Sequence, residues 1–327
     1  MTEDPSAPDS VLSPAQTAPP DSGILRKIFI GPNGMRAGWR FVVYVVFFAL
    51  LLYIFQRALR LIPLFVQITR KVQREGVLTP QFEFIFESTT IAAALLAAVA
   101  MSRIEKRPFE AYGLPPRFAF AKRFWQGALW GLGCETLIVI LISALGGFSF
   151  GSLALSGGTL IGYAILWAVA FVLVGIAEEF LFRGYTQYTL ASGIGFWPAA
   201  ILLSALFGAI HLGNRGEGWV GALSVFVFGI FACFTLRRTG SLWFAVGFHA
   251  ASDYAETFIY STPDSGLLAQ GHLLNSSFHG QRWLTGGSIG PEGSAMDFVV
   301  FILVFIAFAQ AFPQQKNPAS TNGSQRG

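Results

Sequence analysis

The chain has 327 residues, 53% of them hydrophobic and only 12% charged, with 33 phenylalanines and a formal net charge of +4. A soluble domain of this length does not bury so much apolar surface, so lipid is the natural solvent. Its Lys and Arg collect at the edges of apolar runs and form no stripe, which argues against a nucleic-acid partner and reads instead as membrane topology.

Residues 1–36 read as a disordered cytoplasmic tail. The first 25 or so are rich in Pro, Ser, Asp and Thr and lack the basic start and apolar stretch of a cleavable signal. A transmembrane helix needs about 20 mostly apolar residues, and that criterion predicts about eight spans. They fall near 38–57, 82–102, 123–147, 158–182, 196–213, 219–237, 241–260 and 296–313. The expected fold is therefore all-α, a polytopic transmembrane helical bundle. Residues 37–313 form one membrane domain, and 314–327 a second disordered tail. Between the first two spans Arg57–Pro80 is too basic to cross, but carries apolar residues on one helical face and suits the membrane interface.

Basic residues assign the sides. Arg26, Lys27, Arg36 and Arg40 precede the first span, Arg103 to Arg123 fill the second connection, Arg237 and Arg238 follow the sixth span, and Lys316 follows the eighth. This places a multi-pass protein in the cell membrane with both termini cytoplasmic. The basic residues of Arg57–Arg74 run against that rule. Cys134 and Cys233 sit in apolar stretches and read as small packing residues, without metal-ligand spacing.

The fourth span ends in GIAEEFLFRGY, with Glu178, Glu179 and Arg183 after a long apolar run. Ionisable groups at membrane depth cost roughly 2.5–3.5 kcal/mol each and persist where they work or pair. Glu179 and Arg183 share a helical face and suit an ion pair, whereas Glu178 is rotated by about 100° and left free as the catalytic candidate. The fifth span ends in ALFGAIHLG, with Phe207 and His211 on one face, and the seventh reads WFAVGFHAASDYAE, with His249 and Asp253 on one face. A lone intramembrane His is as often a packing residue. Two His, a free Glu and an Asp from three spans are harder to read that way. If the fourth and fifth spans form a hairpin turning near Gly193–Gly195, Glu178 and His211 each lie about 25 Å from the turn and meet at one level.

These three motifs, in order over about residues 120–260, resemble the CPBP family of intramembrane proteases (CAAX prenyl endopeptidase type II and bacteriocin-processing, also called Abi). Its two glutamates followed by arginine are matched by Glu178, Glu179 and Arg183, its Phe-x-x-x-His by Phe207 and His211, and its His-x-x-x-Asn/Asp by His249 and Asp253. The resemblance implies an eight-helix fold with a cavity open to the cytoplasmic side. It also implies hydrolysis of a peptide bond near that face, in a membrane-associated protein or peptide substrate. Glu178 and His211 would bind and deprotonate a water, and His249 with position 253 would stabilise the oxyanion. An ionised Asp253 has no proton to donate, so it would orient and charge His249 or be held protonated. Glu178, His211 and His249 are also a credible zinc-ligand set with an open fourth position, and equally suited to a water without metal.

Two rival functions share these residues: an ion-coupled transporter or proton relay, and a non-catalytic membrane scaffold. No internal repeat of the transporter kind is evident. Glu135, within the third span, could pair with Arg183 or tune the site, and reads more readily as a purely structural partner. Glu83 and Glu87, at the start of the second, read as interfacial, and His272 and His279 as solvated loop residues. The Gly127-x-x-x-Gly131 spacing reads as helix packing.

Overall fold

In lipid a backbone must satisfy its own polar groups, and long apolar runs whose prolines fall only in first turns do so as helices. The structure, a computed structural model, describes residues 28–31, 34–214, 218–263 and 266–313. Of the two expected tails, only 28–31 and 34–36 lie within the described residues. The helices are α1 (Ala37–Leu59), α2 (Pro63–Glu75), α3 (Pro80–Glu105), α4 (Lys122–Ala144), α5 (Gly157–Arg183), α6 (Tyr185–Ile194), α7 (Phe196–His211), α8 (Trp219–Thr239), α9 (Trp243–Asp253) and α10 (Ala295–Ala311). α1, α3, α4, α8 and the run Gly157–Ile194 are long and apolar enough to cross a membrane, and α7 and α10 are apolar but shorter. α9 continues as a π-helical turn, Tyr254–Ile259. This is the expected all-α membrane bundle, with strand pairing confined to two-residue ladders among the described residues.

α2 starts with Pro63 in its first turn and stops at Gly76, whose left-handed φ of 67° favours glycine. It buries Phe65 and Val72 and exposes Arg70, Lys71 and Arg74, the amphipathic character read from the sequence. α5 runs on through Gly184 into α6, the chain reverses at Gly195, and α7 returns, which is the expected hairpin. Several side chains of the polar stretch at the apex are hydrogen-bonded internally. Thr186 Oγ1 donates to the Leu181 carbonyl at 2.6 Å, Gln187 Nε2 to the Phe196 carbonyl at 2.9 Å, and the Tyr185 hydroxyl to Glu105.

α9 packs against both α4 and α5 at the centre of the bundle. Its contact with α4 is backbone to backbone: a Cβ added at Gly127 or Gly131 would enter the carbonyls of Phe244 or Phe248, and one at Gly247 that of Phe124. The expected packing role of the Gly127/Gly131 pair is thereby given its partner helix. Gly131→Ala should cost about 1–3 kcal/mol by overpacking a contact that a side-chain rotation cannot relieve. An unchanged melting temperature in detergent would mean that the two helices separate freely.

One end of the bundle carries most of the basic residues, although Arg57, Arg60 and the cations of α2 lie at the other. Arg40 Nη1 donates to Glu105 Oε2 at 2.8 Å, Arg107 Nη1 to the Tyr188 hydroxyl at 2.5 Å, Trp243 Nε1 to the Pro115 carbonyl at 3.0 Å and Arg238 Nη1 to the Phe312 carbonyl at 3.1 Å. These bonds tie the start of α1, the end of α3, α6, the α8–α9 turn and the end of α10 together. α2 and the 261–294 loop lie at the other end.

Candidate active site

Glu179 and Arg183 fall one turn apart near the end of α5, and both side chains are fully buried, with Nη1 donating to Oε1 at 3.1 Å. The guanidinium lies over the Phe207 ring, 4.4 Å from its centroid. Gly229 of α8 makes room for it, since a Cβ there would run into Nη2. A cation at this depth needs both its carboxylate and the aromatic face to offset desolvation.

The same Glu179 oxygen accepts a second bond, from His249 Nδ1 at 3.0 Å. Glu179 is thus more than the partner of Arg183: it joins the fourth-span motif to the seventh-span histidine and fixes which imidazole nitrogen is occupied. The other nitrogen, Nε2, faces Glu178 Oε2 at 3.6 Å and Asp253 Oδ2 at 3.5 Å. Glu178 keeps 28% of its side chain accessible where Glu179 keeps none, so the neighbour predicted to be free is the one that reaches open space.

His211 is the last residue of α7, and its Nδ1 donates to the Phe207 carbonyl at 2.8 Å. A carbonyl only accepts, so the proton sits on Nδ1 and the neutral ring presents Nε2 as an acceptor. Phe207 therefore touches both histidine and arginine: its ring meets the His211 ring edge-on at 4.6 Å.

Glu178, His211, His249, Asp253 and Phe207 line one cavity of about 500 Å³. Glu179 and Arg183 stand behind its wall. The π-helical turn begins immediately after Asp253 and carries Glu256 to the same cavity, where an uninterrupted α-helix was expected to run to residue 260. Such turns re-aim side chains within a helix.

One expectation is corrected here. Glu87 is not an interfacial acid: it is 6% exposed and lines the cavity beside Glu83. The expected ion pair of Arg183 with Glu179 is present, and Glu135 lines the cavity, where it is placed to tune the site. Among the described residues no three His, Cys, Asp or Glu side chains are grouped so as to hold a metal ion. His272 and His279 do sit in the loop as expected, bonded to the Ala269 carbonyl and the Ser277 hydroxyl. The cavity also receives Ser224, Glu256, Glu292 and Asp297, none of them singled out by motif. Glu256 and Asp297 were detectable as acids within or beside apolar spans, the signal already applied to Glu178.

The cavity extends from the Glu178–His249 level towards the end that carries α2 and the 261–294 loop. Its walls come from the start of α3, the start of α8 and the start of α10, and no lining residue comes from the basic end.

Residues 160–255 match the family model described as type II CAAX prenyl endopeptidase Rce1-like. All three motifs lie inside that match. The motif-bearing core is thus similar to the Rce1-like, CPBP intramembrane proteases. No curated protein matches the chain in sequence. An Rce1-like protein is a CAAX-protease-like membrane endopeptidase, a hydrolase, and the apolar bundle around the match places it in a membrane.

Proposed function

We propose that this membrane endopeptidase hydrolyses its substrate's peptide bond with a water activated by Glu178 and His211. The observation that carries the reading is the Arg183–Glu179–His249 relay, which holds His249 from behind while leaving Glu178 open to the cavity. The water would sit between the Glu178 carboxylate and the accepting Nε2 of His211. As its oxygen bonds to the substrate carbonyl carbon, its proton passes to Glu178 and the carbonyl electron pair moves onto oxygen. His249 meets that oxyanion. With Nδ1–H committed to Glu179, the donor is Nε2–H of the imidazolium, and Asp253 balances its charge. Collapse of the adduct breaks the C–N bond and Glu178 returns the proton to the departing nitrogen, leaving an amine and a carboxylic acid whose remaining proton passes to His211 Nε2 and on to solvent. No step is routed through a metal.

Asp253 acts here through His249 and not as an oxyanion donor, because its Oδ2 lies 3.5 Å from Nε2 on the imidazole side. Asp253→Asn should therefore lose less than the roughly 10²–10³-fold expected on removing an oxyanion donor. His249→Ala should lose at least that much. Steady-state cleavage rates decide it, and an Asn variant as inactive as the His variant would mean that the carboxylate charge itself is required.

By the positive-inside rule this basic end is the cytoplasmic one. The cavity lining lies away from that end, which supports access from the opposite face, where the family resemblance implies the cytoplasmic one. Single cysteines at Asn214 or Glu292, in a background lacking Cys134 and Cys233, should react with a membrane-impermeant thiol reagent applied outside. Labelling only from the cytoplasm would invert the whole bundle.

The activity is tested with the purified protein in lipid nanodiscs and a peptide library read by mass spectrometry, with liposome flux measured on the same preparation. Cleaved peptides support the protease reading. Ion-coupled flux without cleavage replaces it with the transporter.

A further inference from the structure

Outside the hydrolytic group, the same cavity has a second chemical character. Six further carboxylates line it: Glu83 and Glu87 from α3, Glu135 from α4, Glu256 from the π-helical turn, Glu292 from the turn before α10, and Asp297 from α10 itself. Among the described residues that line it, none is Lys or Arg. The cations of α2 are exposed at the surface and form no part of the wall.

An acidic cluster alone names no ligand, but Glu87 supplies a separate observation. It is 6% exposed, it lines the cavity, and its Oε2 has no hydrogen-bond partner within the protein. A carboxylate oxygen taken out of water and left unbonded is costly, and it marks a place where a donor is missing. The remaining walls define the donor further. Phe82, Phe86, Phe171 and Phe301 line the cavity together with Ile138 and Val174, so the acids are set among apolar and aromatic surfaces. A guest that fits both is a cation on an alkyl stem, whose methylenes lie along the phenylalanines while its head reaches the carboxylates.

We infer that the acidic part of the cavity is a subsite for a basic side chain, Lys or Arg, of the peptide substrate, with Glu87 as its principal acceptor. This deepens the endopeptidase reading above and rests on it for the word substrate. The cation binding itself stands on the carboxylates and does not need the chemistry. A cationic residue seated at Glu87 would hold the neighbouring backbone in the cavity that Glu178 and His211 also line.

The test separates the two claims. Fluorescent peptides carrying Lys at one position are compared with the same peptides carrying norleucine, which keeps the stem and removes the charge. Binding is measured on full-length Glu178→Gln protein in nanodiscs, and cleavage on the wild type. Binding should favour Lys over norleucine by tenfold or more, and adding Glu87→Gln should reduce that preference to within threefold. It should leave the affinity for the norleucine peptide unchanged, which a misfolded variant would not. Equal binding of both peptides by the protein that retains Glu87 overturns the subsite even if the wild type cleaves them, and so does a preference that survives Glu87→Gln. A Lys preference that depends on Glu87 without any cleavage by the wild type keeps the subsite and removes the protease.

Discussion

Glu178→Gln removes peptide-bond hydrolysis while leaving the protein folded. The amide has nearly the size of the carboxylate but takes up no proton from water, and the side chain is already part-exposed to the cavity, so little packing is disturbed. Loss of a general base costs about 10²–10⁴-fold. Activity should fall by at least that much, while the melting temperature in detergent stays within a degree or two of wild type, in line with the small cost expected of most part-exposed substitutions. A Gln variant that cleaves at the wild-type rate would move the base to His211 or to another cavity acid. The scaffold reading predicts the same biological output from both proteins.

Arg183→Ala has the opposite signature, because its partners are buried. Removing the guanidinium leaves Glu179 wholly inside the bundle with only the His249 bond at 3.0 Å, and opens a void against Phe207 and Gly229. Breaking one side of a buried pair costs about 3–5 kcal/mol. Stability and activity should fall together, since the charge that positions His249 is disturbed as well. Glu179→Gln strands the cation instead and should behave in the same way. A variant at either position with wild-type stability in nanodisc unfolding would show that the pair contributes nothing to the fold.

The contrast between neighbouring glutamates marks how far the chain could be read. Helical geometry alone separated Glu178 from Glu179, because a rotation of about 100° between adjacent residues is a property of any α-helix. The same reasoning placed Phe207 with His211 and His249 with Asp253, and hydropathy placed the spans, since lipid leaves an apolar run no alternative to a helix. Span boundaries, the amphipathic α2 and the hairpin at Gly195 followed from local composition.

What composition could not supply was which faces of different helices meet. Glu179 accepts from Arg183 at the next turn, a local contact, but also from His249, seventy residues away, and that second bond exists only because α9 packs on α5. Glu87 and Asp297 illustrate the same limit. Each lies at the end of its span, where a sequence reading offers water, and each is buried because neighbouring helices enclose it around the cavity. The direction in which that cavity extends was likewise decided by packing. Loop charge marks one end of the bundle as the more basic, but only the tertiary arrangement shows that the cavity is lined by the starts of α3, α8 and α10. The sequence by itself therefore determined the helices, their order and the residues able to do chemistry, all set by local geometry and solvent. The tertiary structure alone decided which carboxylates share a space, which one is held by Arg183 and where the site opens, because those depend on contacts between distant segments.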